Sequence, residues 1–298
     1  MGRFYSFVLL GVVSGNCFAG FTEDFGAAKQ KDPQAVEQVQ ATYAKSESEN
    51  PDYYIKLANY WFSLSQQVSI STKPAEKSDF VMSDQHTGKA VGSISRQGVV
   101  DPKIAAKAPD LLSEAAKKFP ARIDIALGLA FCLRQENRPA ESAEVMLGLI
   151  EAYRKAPDSF LDKNGQPLAR QEPAKNIDNA SYDTTVQLYE SKDADAPKWC
   201  EKLAMAMAEA FPKDPRPPNI IAALAIRAND FKGAIAWLEK AYAIDPSDPL
   251  VTVNLAEQYL EVGNKKKARG LAQSILDSPG EEAKEYRNDA KQIIKKAK

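Results

Sequence analysis

The feature that most constrains this chain is a repeat in its C-terminal third. Segments beginning at Pro215 and Pro249 lie 34 residues apart and agree position by position. In the first, Ile221-Ala222 falls mid-helix, Asn229-Asp230 breaks the helix, and Ala234, Leu238 and Ala241 return to one face before Asp245-Pro246. In the second, Leu255-Ala256 and Tyr259 precede Gly263-Asn264, and Ala268, Ala272 and Ile275 follow before Ser278-Pro279-Gly280. Apolar residues three and four apart on both sides of a turn predict two antiparallel helices per unit. Small residues at Ala222, Ala234, Ala256 and Ala268 let the paired helices approach closely, while Leu238, Leu255, Tyr259 and Ile275 fill the space between them. A single helix pair cannot bury its apolar side, so such units must stack.

These residues resemble the tetratricopeptide repeat. Its order of a large residue, a small one, an aromatic, a turn Gly or Asn, two Ala and a closing Pro is matched best by 249–280. Unit 215–246 departs from the pattern, with Pro218 where the family favours Trp and Ala225 where it favours Tyr. The resemblance covers about 50–298, most strongly from about 196. It implies an all-α fold, an α-solenoid of tetratricopeptide-like helix pairs with a small β-hairpin insertion. In that register Pro51 to Trp61 is a first helix, packing through Tyr54, Leu57, Ala58 and Trp61. Its partner arrives some forty residues later, through Ala108, Leu112 and Ala115. Ile123 to Asn137 and Pro139 to Ala156 read as a further pair, and Ala180–Tyr189 with Pro197–Phe211 as another.

The interruption at 67–107 changes period from helical to alternating. Phe80-Val81-Met82 and Ala90 to Ile94 flank Asp84 to Lys89, which reads as a hairpin turn with Gly88 supplying the positive backbone angle; Val68-Ser69-Ile70 offers a third strand. A second irregular stretch spans 158–179. Inserts of this kind project from a solenoid and serve either recognition or nothing. The expected organisation is thus a signal peptide at 1–19 and an N-terminal extension with a short helix at 20–49. Helix pairs follow at 50–157 and 180–280, and a capping helix at 281–298.

Export is expected from the first twenty residues. Met1-Gly2-Arg3 gives a positive start, Phe4 to Val13 an apolar run of roughly half a bilayer's thickness, and Cys17 and Ala19 a cleavage site before Gly20. The expected location is the periplasm or the extracellular space. Acylation of Cys17 fits less well, because Ser14 and Asn16 stand where a lipoprotein signal carries leucine-like and small residues. Cys132 and Cys200 then remain, either paired in an oxidising compartment or, as we favour, two small buried hydrophobes.

Composition narrows the chemistry. The 298 residues carry 39 Lys and Arg against 40 Asp and Glu, so no broad cationic field is available for nucleic acid. His86, the single histidine, falls in the expected hairpin turn, which leaves no base beside a serine or cysteine nucleophile. No cysteine spacing marks zinc and no alternating acidic loop marks calcium. Thr87-Gly88-Lys89 lacks both the earlier glycine and the following hydroxyl of a phosphate-binding loop. We therefore expect no cofactor, no metal, no membrane span in the mature chain and no enzymatic activity.

What remains is binding. The resemblance implies that first helices line a groove, placing Ile55, Asn59 and Phe62 on it, then Asn219 and Arg227, then Glu257 and Glu261. Family members that clamp a peptide carboxylate use a basic residue four positions before an Asn, whereas here Ile55 precedes Asn59 and Asn219 precedes Ala223. The expected function is an adaptor or assembly factor for a protein or peptide partner. The alternatives are a carbohydrate-active or cell-envelope enzyme with a carboxylate site, and a structural component that forms homo-oligomers.

Overall fold

The computed structural model describes residues 19–71, 80–83, 90–99 and 101–298. The expected signal sequence, the hairpin turn at 84–89 and His86 lie outside them. The described chain is all-α apart from one small sheet, and its thirteen helices fall into two compact units.

The first unit holds α1 (Ala19–Ala28), α2 (Pro33–Tyr43), α3 (Pro51–Ser65), α4 (Pro102–Lys118) and α5 (Ile123–Gln135), together with 158–169. Two helices thus occupy the N-terminal extension, where the sequence suggests one. Tyr53, Tyr54, Leu57, Ala58 and Trp61 of α3 are buried, as are Ala105, Ala108, Leu112 and Ala115 of α4. The Phe21 ring of α1 lies 4.9 Å from that of Tyr53, and Trp61 Nε1 donates to Gln40 Oε1 of α2 at 3.1 Å. α4 begins inside the stretch 67–107 that reads as the insert, six residues before Ala108, the first of the packing positions expected for it. The helix is opened by Asp101-Pro102, and Pro109 sits inside it.

Between α3 and α4 the backbone forms β1 (Gln66–Ser71), β2 (Phe80–Ser83) and β3 (Ala90–Val99). Their order is β1-β3-β2, both pairings antiparallel, with Val68 opposite Arg96 and Val81 opposite Ser93.

The second unit holds α6 (Pro139–Lys155), α7 (Gln171–Glu190), α8 (Ala196–Ala210), α9 (Arg216–Arg227), α10 (Phe231–Ile244), α11 (Pro249–Glu261), α12 (Lys265–Asp277) and α13 (Ala283–Lys296). α6, expected as the partner of α5, packs in this unit against α7 and α8. α7 begins well before the expected Ala180, because Pro173 falls in its first turn, where a missing N–H costs nothing. The alanine seams are as the repeat demands: Ala222, Ala234, Ala256 and Ala268 are fully buried, with Leu238, Leu255, Tyr259 and Ile275 between them and Ala290 and Ile293 of α13 closing the end.

Helix starts are set locally. Asp32, Asn50, Asp101 and Asp248 each accept a backbone N–H from the first turn, and each is followed by a proline at the first helical position. Left-handed residues follow three helices: Asn137 at φ 58 after α5, Asn229 at φ 59 after α9 and Gly263 at φ 79 after α11. One side-chain clasp occurs in both units. Lys118 Nζ donates to Tyr54 Oη at 2.6 Å and Tyr54 Oη to Glu114 at 2.9 Å. Lys267 Nζ donates to Tyr259 Oη at 2.7 Å and Tyr259 Oη to Glu239. Among the described residues no helix is long and apolar enough to cross a membrane.

Candidate binding face

In the second unit α7 touches α9, α11 touches α13, and a side-chain hydrogen bond joins α9 to α11. Arg216, the first residue of α9, makes a fan of contacts. Its Nε donates to both carboxylate oxygens of Asp214 at 2.9 Å, Nη2 to Asp178 Oδ2 at 2.8 Å and Nη1 to Asn179 Oδ1 at 3.3 Å. The Tyr182 ring lies 4.6 Å from the guanidinium, one helical turn from Asp178 on α7. One arginine thus serves two acids, and Asp178 Oδ1 is buried without a partner. Burial first, and the neighbouring Asp214 charge second, push the Asp178 carboxyl up to about 7 despite the Arg216 contact.

Asn219, one turn further along α9, accepts from Asn254 Nδ2 of α11 at 2.9 Å. This amide rung joins two first helices, one position off the 34-residue period of the repeat. Arg227, at the end of α9, is committed elsewhere: its guanidinium sits 3.4 Å from the Tyr189 ring centroid and donates to the Tyr189 carbonyl at 2.5 Å.

Glu257 and Glu261 come together. They stand one turn apart on α11 and, with Gln258 and Leu260, form one wall of a cavity of about 430 Å³. Asp289, Gln292, Ile293 and Lys296, spaced three, four and seven residues apart on α13, form the opposite wall, and Ile226 and Phe231 of the α9–α10 turn complete it. Although Glu257 is exposed as a residue, loss of water at the wall and then the Asp289 charge hold its carboxyl above the usual range, with Lys296 acting the other way. Gln258 is 8% exposed, and its Oε1 has no hydrogen-bond partner.

The first-unit candidates do not form a comparable site. Ile55 is buried in the α3 core and Phe62 packs on Phe131 of α5, with ring centroids 5.5 Å apart; only Asn59 stays half-exposed and uncommitted to an aromatic or apolar neighbour of this kind. Sequence reading misses Asp178, because 158–179 reads as irregular chain, and Tyr182, because the helix expected at 180–189 gives no sign of the Arg216 that meets it. It misses Asp289 and Lys296, because α13 reads only as a cap. The helical spacing of Asp289, Gln292, Ile293 and Lys296 is the signal available. Cys132 and Cys200 are free and buried, the latter donating to the Thr185 carbonyl at 3.4 Å.

Residues 225–288 match the model of a tetratricopeptide repeat family. The C-terminal array is similar to that repeat. The match takes in α10, α11 and α12 and most of the residues around the cavity. No curated protein matches the chain. Among solved structures, the chain is 14% identical to a thermophilic tetratricopeptide protein, TTC0263 of Thermus thermophilus, over 64% of this chain and 91% of that one, with a TM-score of 0.38. It is 13% identical to the type IV pilus biogenesis factor PilW over 90% and 99% of the two chains, TM-score 0.38. It is also 13% identical to Acl4, an assembly chaperone of RpL4, over 92% and 95%, TM-score 0.41.

Proposed function

We propose that this chain is an exported, non-enzymatic adaptor or assembly factor that binds a protein segment along α7, α9, α11 and α13. The observation that carries the reading is the open cavity between α11 and α13, whose α11 wall and α9–α10 residues lie in the stretch that matches the tetratricopeptide family, while its α13 wall begins just beyond it. A face fixed by the Arg216 fan and the Asn219–Asn254 rung bears little ordering cost when a peptide lies on it. Repeat families of this architecture serve recognition rather than catalysis, and Glu261 and Asp289 are exposed in an open cavity that does not shut water out of a reaction. Export rests on the charged, apolar and small-residue order of the first nineteen residues.

The test is affinity capture with the purified chain as bait, identification of what is retained, and reconstitution of the complex from purified components. A stoichiometric complex is expected. A homo-oligomer by sedimentation with nothing retained would replace the adaptor by a self-assembling component. Loss of the partner on deletion of 68–106 would give the strand insert a part in binding. N-terminal sequencing of the chain recovered from its native source should begin at Gly20.

A further inference from the structure

We infer that the cavity between α11 and α13 receives the side chain of an arginine presented by a partner polypeptide. The inference rests on the protein-binding reading above and supplies its chemistry.

Three features of the cavity converge on such a group. Its charge is negative, because Glu257, Glu261 and Asp289 face a single cation, Lys296. Its walls are also apolar, with Ile226, Phe231, Leu260 and Ile293 available to the three-carbon stem of an arginine or the face of its guanidinium. The third feature is independent of charge: Gln258, more than nine-tenths buried in the same wall, has a carbonyl oxygen with no donor. An unmade hydrogen bond of this kind is destabilising, and an incoming N–H relieves it. A group that offers several donors in one plane, carries a positive charge and has an apolar stem satisfies all three at once.

Other ligands fit less well. A metal ion needs its ligands gathered at one point, and among the described residues no three His, Cys, Asp or Glu groups are gathered in that way. The two α11 carboxylates are a helical turn apart and the third comes from another helix, a spread that suits a wide, delocalised cation. A nucleic acid or a peptide carboxylate would meet repulsion. A lysine carries the charge but only a compact, strongly hydrated head. Lys296 lines the same cavity and its charge acts on Glu257, so it opposes an incoming cation.

The probe is N-acetyl-arginine N-methylamide, titrated into the isotope-labelled full chain with backbone amide shifts as the readout. Shifts confined to α11, α13 and the α9–α10 turn are expected, with the citrulline analogue at least tenfold weaker and the lysine analogue between the two. Glu257→Gln with Glu261→Gln should weaken the arginine probe at least tenfold at an unchanged melting temperature, and Lys296→Ala should tighten it. Gln258→Met should keep or raise the melting temperature while weakening the probe at least threefold, a combination that a purely structural glutamine does not produce. Equal affinity for citrulline, shifts elsewhere, or full binding by the double variant would overturn the assignment. So would a dimer by sedimentation that the double variant abolishes, since a second copy would then fill the cavity. If a reconstituted partner binds the double variant as tightly as the native chain, the arginine pocket fails and the adaptor reading stands. If the probe binds as expected but no partner is ever retained, the adaptor reading fails alone.

Discussion

Asp178 shows how a single residue can be worse placed than its contacts suggest. Arg216 gives two of its bonds to Asp214 and one to Asp178, so the second acid lies in a half-buried site with one oxygen unsatisfied. Its folded carboxyl titrates near 7, above the usual value for an unfolded aspartate of about 3.9. The folded state therefore binds the extra proton, and stability from this group is present below about pH 4 and lost as pH rises through 7. Asp178→Asn should flatten the fall in melting temperature between pH 4 and 8; parallel curves for the two proteins would refute the assignment. The two thiols are the opposite case, where burial leaves nothing to react. Burial raises Cys132 to about 12 and Cys200 to about 11, so neither is a thiolate at neutral pH. Native protein at pH 8 should leave a thiol-disulfide reagent unconsumed by these two cysteines, and both should react in denaturant.

At the scale of elements, the clasp that joins a tyrosine to a lysine and a glutamate ties α3 to α4 and, in the other unit, α11 to α10 and α12. Each tyrosine is buried up to its hydroxyl, and the charged partners are half in water. Removing the hydroxyl by Tyr54→Phe or Tyr259→Phe should cost about 0.5–1.5 kcal/mol, as for an ordinary hydrogen bond, and similar losses in urea denaturation are expected for the two. A loss well above that would mean that the hydroxyl also positions the ring. The alanine seams are legible in the sequence because small residues recur at fixed offsets in two copies, and packing leaves no other place for Ala222, Ala234, Ala256 and Ala268. The starts of α4 and α7 are not, since Pro109 and Pro173 carry the same local signal in the middle and near the start of a helix. Only the neighbours decide which is which. The cavity is half legible: Glu257 and Glu261 follow from the repeat, while Asp289 and Lys296 depend on where α13 lies, which no repeat copy reports.

The chain as a whole moves between its two units more than once, since 139–157 belongs to the second and 158–169 to the first. Within each unit stability comes from neighbouring pairs, so damage should spread to adjacent helices before distant ones. Ala256 is fully buried among Leu255, Tyr259 and Ala268, and Ala256→Trp would force that seam apart. A loss of about 1–3 kcal/mol or more is expected. Hydrogen exchange should quicken in α9 to α13 while α3 and α4 keep their protection; uniform quickening along the chain would show that the two units unfold as one.

The Asx-Pro pairs that open α2, α3, α4 and α11 carry a consequence for how the molecule is made. Each writes its boundary in two adjacent residues, with no help from the rest of the chain. On the export proposed above, a polypeptide drawn unfolded through a narrow channel would lose every long-range clue but keep these dipeptides, and so would arrive on the far side with its punctuation intact.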